Sequence, residues 1–144
     1  MNWKANALAA YGKVASTETD PLQQIVLLYD GAIKFLRLSA ADIEAGDLAA
    51  KGEHTNRALD IIGYLQSILD YERGGEVAPI LNTLYLNVTA DTLRASAQLD
   101  SALLRQTAEL LAPVRNAWAS NAQATAPVAA AIPQHTQLAG ACLA

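Results

Sequence analysis

Apolar residues recur every three or four positions along four stretches of the chain, which is the spacing of one face of an α-helix. The first stretch follows Thr19-Asp20-Pro21, where Thr or Asp suits a helix cap and Pro suits the first helical position. Gly46 and the Arg73-Gly74-Gly75 turn then separate later stretches. The pattern predicts four helices. The first runs from about residue 21 to 44, and the second runs from the cap Asp47 to about residue 70. The third runs from about 76 to 99, and the fourth runs from a cap at residue 100 or 101 to about 118.

Each predicted helix carries an apolar stripe wide enough to face a common core. The predicted core residues are Leu22, Ile25, Tyr29, Ala32, Leu36, Ile43, Ala58, Ile62, Leu65, Leu69, Leu81, Leu84, Val88, Ala95, Leu99, Leu103, Leu110 and Val114. Short connections force neighbouring helices to run in opposite directions. We therefore predict an all-α fold, an antiparallel four-helix bundle.

Several helices carry more apolar surface than one stripe requires. The second predicted helix presents an additional stripe at spacings of three, four and three, formed by Ile61, Tyr64, Ile68 and Tyr71. The third helix adds Tyr85 and Leu86. Surplus apolar surface on a soluble bundle marks a groove for a partner. The alternative is a tight core that the N-terminal segment helps to cover.

Composition divides the chain into an N-terminal arm over 1–18, a helical domain over 19–118 and a tail over 119–144. The tail is rich in alanine, contains two prolines and has no Asp, Glu, Lys or Arg, which predicts a flexible low-complexity segment. Alanine contributes 30 of the 144 residues, which favours helix over strand.

Charge and hydropathy narrow the classes of partner. The net charge is -4, whereas a nucleic acid or an anionic membrane favours a basic protein face. We find neither an apolar run of about 18 residues nor the apolar core of a signal peptide, so we predict no membrane insertion. Cys142 is the single cysteine and cannot form an intramolecular disulfide. These features predict a cytoplasmic protein.

The search for catalytic or cofactor chemistry is mostly negative. The Arg73-Gly74-Gly75 turn lacks the spacing of a phosphate-binding loop, and neither histidine follows a glutamate at the Glu-x-x-His spacing of di-iron bundles. His54, with Lys51 and Gly52 nearby, allows a histidine phosphotransfer domain as an alternative, although the residues after it depart from that pattern. We therefore predict no enzyme activity, no cofactor and no metal site.

Pro113 interrupts the fourth predicted helix. A proline inside a helix removes one backbone hydrogen bond and clashes with the preceding turn, at a cost of about 3 kcal/mol. We expect a kink or an early end near Ala112.

Five short motifs, in order from Tyr11 to about Trp118, resemble the FliS family of flagellar secretion chaperones. The strongest are Leu28–Ile33, similar to the family's LYDGAI, and Leu69–Glu76, similar to its LDxExGGE. The others are Tyr11 with Val14, Ala58 with Ile61 and Ile62, and Leu81–Tyr85, followed by Leu110-Leu111 and Trp118.

The resemblance implies a cytoplasmic export chaperone with a helical-bundle fold. Such a protein binds the disordered C-terminal segment of flagellin, prevents early polymerisation and assists delivery to the flagellar type III export apparatus. The export gate and the anti-sigma factor are further implied partners. Whether the protein forms a homodimer in the absence of client stays undecided at this point. The alternative is a helical adaptor for another protein, such as the anti-sigma factor or a filament cap protein.

The resemblance also implies where the client binds. The expected client-binding residues are Tyr11, Ile61, Tyr64, Ile68, Tyr71, Tyr85 and Leu86. We further expect the arm around Tyr11 to occupy part of the groove when no client is bound.

Overall fold

Helices make up the secondary structure of the computed structural model, which describes Ala10 and residues 21–120. The arm apart from Ala10, and the tail beyond Ser120, lie outside the described residues. The helices are α1 (Pro21–Ala45), α2 (Leu48–Ser67), α3 (Tyr71–Gly74), α4 (Val77–Gln98) and α5 (Ser101–Ser120). The predicted all-α class is confirmed.

Aspartate side chains cap three of these helices. Asp47 accepts a hydrogen bond from the backbone N–H of Ala50 at 3.1 Å, and Asp100 accepts one from Leu103 at 3.0 Å. Asp70 accepts one from the N–H of Arg73 at 3.0 Å and so begins the short helix α3. The prediction that the second helix reaches residue 70 was wrong, because α2 ends at Ser67.

The four long helices pack in the pairs α1/α2, α1/α5, α2/α4 and α4/α5. Lys51, early in α2, donates from Nζ to the backbone oxygen of Ser96, late in α4, at 3.1 Å. Gln66, late in α2, donates from Nε2 to Oδ1 of Asn82, early in α4, at 2.8 Å. These contacts show that α2 and α4 run in opposite directions.

Two ion pairs join α1 to α5. The Asp30 carboxylate binds Arg115 at 2.7 Å and raises the pKa of that guanidinium. Glu44 lies 2.7 Å from Arg105, and the hydrogen bond from Arg105 lowers the pKa of the carboxyl group. An early residue of α1 therefore pairs with a late residue of α5, and the reverse, so this pair is also antiparallel.

Most predicted core residues are buried, with four corrections. Ile43 of α1 is only partly buried. Leu99 is 46% exposed because it follows the end of α4 in a left-handed backbone conformation, with φ of 54°. The predicted stripe of α5 is displaced by one residue: Leu104 and Leu111 are fully buried, whereas Leu103 and Leu110 are only partly buried.

The helix that contains Pro113 does not end near Ala112, so of the two expected effects of this proline the early end was wrong. α5 continues to Ser120. Val114 and Trp118, beyond the proline, are fully buried and stabilise the continued helix. Pro113 itself is exposed, so water reaches the side of the helix where the hydrogen bond is missing.

A buried polar cluster ties three helices together. The hydroxyl groups of Tyr29 in α1 and Tyr85 in α4 lie 2.6 Å apart, and both side chains are fully buried. Trp118 of α5 is fully buried as well and lies close to Tyr29. Burial raises the pKa of Tyr29, and the hydrogen bond to Tyr85 partly opposes that rise.

Candidate functional site

Between α1 and α2, partly buried apolar side chains form a region that we call a groove. Gly31 lies at its floor, where a Cβ atom would lie 3.1 Å from Cδ1 of Ile61. Because Gly31 has no side chain, Ile61 packs closely over the backbone of α1. Leu28 and Phe35, one turn to either side of Gly31 in α1, are partly buried and pack against the core.

The predicted second stripe of α2 leads from this groove to α3. Ile61 and Ile68 are partly buried, and Tyr64 is 48% exposed. Tyr71, the first residue of α3, is 52% exposed. The structure therefore leaves apolar side-chain surface of these four residues open to solvent. We refer to Gly31, Ile61, Tyr64, Ile68 and Tyr71 as the α1/α2 groove.

A cleft of about 350 Å³ adjoins this groove at the turn between α2 and α3. Among the described residues it is lined by Leu69, Asp70, Tyr71 and Glu72. Two of these four residues are acidic, so the floor and side of the cleft offer both apolar surface and negative charge.

Polar and cationic side chains surround Phe35 at the other end of the groove. His54 stacks on its ring at 5.8 Å between ring centroids, and Nδ1 of His54 lies 2.6 Å from the Asp42 carboxylate. Lys34 and Arg57 lie 5.7 and 5.9 Å from the Phe35 centroid. These distances suit cation–π attraction, which holds both cations beside the apolar surface.

Two residues of the expected client-binding set lie elsewhere, and a third is not described. Tyr85 is fully buried in the polar cluster with Tyr29, so its placement on the client surface was wrong. Leu86 is 53% exposed but lies on α4, whose main packing partners are α2 and α5. Tyr11 lies outside the described residues.

Ala10 is the part of the arm that the structure describes, and it packs against the α3 turn. The backbone N–H of Asp70 donates to the Ala10 oxygen at 2.7 Å, and Ala10 is fully buried. A Cβ atom on Gly74 would lie only 3.1 Å from Cα of Ala10. Gly74 therefore permits the arm to approach the end of α2, beside Ile68 and Tyr71.

Sequence reasoning missed Gly31 and Ala10 as parts of this region. An isolated glycine inside a helical pattern indicates a close packing contact, and Gly31 carried that signal. Ala10 carried no comparable signal, because a backbone oxygen makes its hydrogen bond.

Other kinds of site receive no support from the described part of the chain. No group of three or more His, Cys, Asp or Glu within residues 21–120 and Ala10 is placed to hold a metal ion. None of the described helices combines the length and the apolar character needed to cross a bilayer.

Comparison with known proteins decides the family. The family model described as "Flagellar protein FliS" matches residues 4–125, which include every described helix. The chain belongs to the FliS family. The match also includes the arm residue Tyr11 and stops within the alanine-rich segment.

Individual FliS relatives agree over most of their length. The flagellar secretion chaperone FliS of Salmonella typhimurium is 34% identical over 81% of this chain and 90% of its own. The protein of the same name from Vibrio cholerae is 32% identical over 78% of this chain and 85% of its own. The protein of the same name from Bacillus subtilis is 27% identical over 78% of this chain and 84% of its own.

Proposed function

We propose that this chaperone binds the disordered C-terminal segment of flagellin in the cytoplasm. Binding holds flagellin unpolymerised and assists its delivery to the flagellar type III export apparatus. The chaperone binds flagellin non-covalently, and it is not an enzyme. The helical domain is an antiparallel four-helix bundle, with the α1/α2 groove on its outer side. The single observation that carries the proposal is this partly open apolar groove in a chain of the FliS family.

The groove suits an amphipathic helix of the client. Such a helix places apolar residues at i, i+3, i+4 and i+7 into a groove of this kind. Tyr64 and Tyr71 are each about half exposed and offer large apolar rings with a polar end. A disordered client loses ordering entropy on binding, so a long wrapped contact is needed for affinity. The groove and the adjoining cleft at α3 together extend that contact.

The cations around Phe35 give the groove a direction. Lys34 and Arg57 lie at one end, and the acidic residues Asp70 and Glu72 lie at the other. A client helix whose acidic residues meet the Phe35 end would bind in one orientation, because charge complementarity fixes register more than it adds affinity.

Flagellin polymerisation tests the function. Purified flagellin is seeded with filament fragments, and filament growth is followed by light scattering with equimolar chaperone. We expect wild type to suppress growth, and Tyr64→Asp to suppress it less. Leu93→Asp is the matched control, since Leu93 is 54% exposed, close to the 48% of Tyr64, but lies on α4.

Filament growth at the same rate with and without the wild-type chaperone would contradict the proposal. Capture from a lysate of flagellated cells then tests the adaptor function. Recovery of the anti-sigma factor or a filament cap protein without flagellin would replace flagellin as the client.

The arm is proposed to compete with the client for the groove. Ala10 already packs beside Ile68 and Tyr71, at the end of the groove. Deleting residues 1–15 should raise the affinity for a flagellin C-terminal peptide if the arm is a competitor. A large fall in affinity would instead mean that the arm contacts the client.

A further inference from the structure

The solvent-facing side of α4 is a second apolar surface, separate from the α1/α2 groove. Leu86 and Leu93 are 53% and 54% exposed, and they lie seven residues apart, on the same face of the helix. Ala90 and Ala97 are exposed on that face as well. We refer to Leu86, Ala90, Leu93 and Ala97 as the α4 outer face.

This face is nearly devoid of charge. Among the exposed residues of α4, Arg94 is the charged one, and it is paired with Asp91 of the same helix at 3.1 Å. By contrast, the exposed residues of α1 include Lys34 and Arg37. A helix that faces water ordinarily carries charged residues on its outer side, so an uncharged face with two leucines indicates a surface that something covers.

The chain itself supplies a segment with matching chemistry. The 24 residues over 121–144 contain no Asp, Glu, Lys or Arg, and nine of them are alanine. Their larger apolar residues are Val128, Ile132, Leu138 and Leu143. Most of this segment lies beyond residue 125, where the family match ends.

We propose that residues 121–144 fold back and cover the α4 outer face, with their larger apolar side chains against Leu86 and Leu93. Both surfaces lack charge, so their contact buries no unpaired ion. A second copy of the chain or a client segment would have to bind from solution. The tail is covalently joined to the domain and meets the face at a high effective concentration, so even a weak contact forms.

The end of α5 lies where this arrangement requires it. Arg115, near the end of α5, pairs with Asp30 of α1, and the neighbouring Tyr29 hydrogen-bonds to Tyr85 of α4. The tail therefore leaves the domain close to the turn of α4 that carries Leu86. Leu93 lies about 10 Å farther along the helix axis, at 1.5 Å per residue. The 24 residues of the tail span up to about 80 Å when extended, which allows them to pass around α4 and along its outer side.

Cys142 provides a direct test, because it is the single cysteine of the chain and lies in the tail. A nitroxide attached to Cys142 broadens NMR signals of nearby methyl groups, and a diamagnetic label serves as the reference. We expect the Leu86 and Leu93 methyl signals to be lost selectively. Leu27 of α1, which is 57% exposed, is the matched control and should keep its signal.

A Leu86→Lys/Leu93→Lys variant places two charges on the α4 outer face and should release the tail from it. Both positions are exposed, so the helical content by circular dichroism should stay unchanged. We expect the broadening at Ala90 and Ala97 to disappear in this variant. Equal broadening at Leu27 and on the α4 outer face would overturn the proposal. So would broadening seen only when the nitroxide and the isotope label are on different chains, which would indicate a second copy on this face.

Discussion

The hydrogen bond between the hydroxyl groups of Tyr29 and Tyr85 makes a specific prediction about stability. The two oxygen atoms lie 2.6 Å apart, and both side chains are fully buried. Replacing either tyrosine by Phe removes this bond and leaves the other hydroxyl group buried. Tyr29→Phe and Tyr85→Phe should therefore each destabilise the protein.

The magnitude follows from the burial of both rings. Loss of a typical hydrogen bond costs about 1 kcal/mol, and a buried polar group that loses its partner costs about 1–3 kcal/mol. We expect each single variant to lower the free energy of unfolding by about 1–3 kcal/mol. The double variant should cost less than the sum of the two, because each single change already removes the shared bond.

Urea unfolding followed by far-ultraviolet circular dichroism measures these differences. With a slope of about 1–3 kcal/mol per molar urea, a loss of 2 kcal/mol lowers the midpoint by roughly 1 M. Equal slopes in all four proteins are the control that the unfolded state is unchanged. An unchanged midpoint in either single variant, or a strictly additive double variant, would refute the reasoning.

Three further predictions concern the backbone, each checked by the same urea unfolding. Pro113→Ala should raise the free energy of unfolding by up to about 3 kcal/mol, since it restores a helical hydrogen bond at an exposed position; an unchanged midpoint would contradict this. Gly75→Ala should lower the free energy of unfolding by about 1–3 kcal/mol, because Gly75 has φ of 55° and ψ of −129°, a conformation that is strained for alanine. A Cβ atom at this position would contact no other atom, so the whole effect would come from the backbone. An unchanged free energy of unfolding would contradict this prediction and show that the backbone relaxes freely. Asp47→Ala should lower the free energy of unfolding by about 1 kcal/mol through loss of the bond to Ala50, whereas Asp47→Asn should retain most of the stability.

Periodicity and capping residues predicted the helical class and the helix starts well. The caps at Asp47 and Asp100 are local signals, since each depends on a side chain and the backbone three residues later. The family motifs likewise predicted the FliS assignment that the comparisons show. Such features are readable because they involve residues that are near in sequence.

Features that depend on distant residues were harder to predict. Tyr85 has the same residue type and helical position as a surface tyrosine, and only the approach of Tyr29 from another helix decides its burial. The one-residue error in α5 has the same origin, because two leucine pairs, 103–104 and 110–111, offer two stripes. The continuation through Pro113 depends on Trp118, which lies close to Tyr29 of α1.

The α1/α2 groove also depends on contacts between helices. The stripe of Ile61, Tyr64 and Ile68 was visible in the sequence, but its partner surface on α1 was not. Gly31 forms the floor because it faces Ile61 across the helix pair, and that facing is set by the packing of α1 on α2.

The central claim is that the chaperone binds flagellin through the α1/α2 groove, and calorimetric titration tests it most directly. A flagellin C-terminal peptide of roughly 40 residues, whose binding should bury a large apolar area, is titrated into wild type, Ile61→Asp/Ile68→Asp and the control Leu93→Asp. We predict binding with a negative heat-capacity change for wild type and the control, and its loss in the groove variant when circular dichroism shows that variant folded. No binding to wild type by a peptide that binds the Salmonella relative, or undiminished binding to the groove variant, would contradict the account.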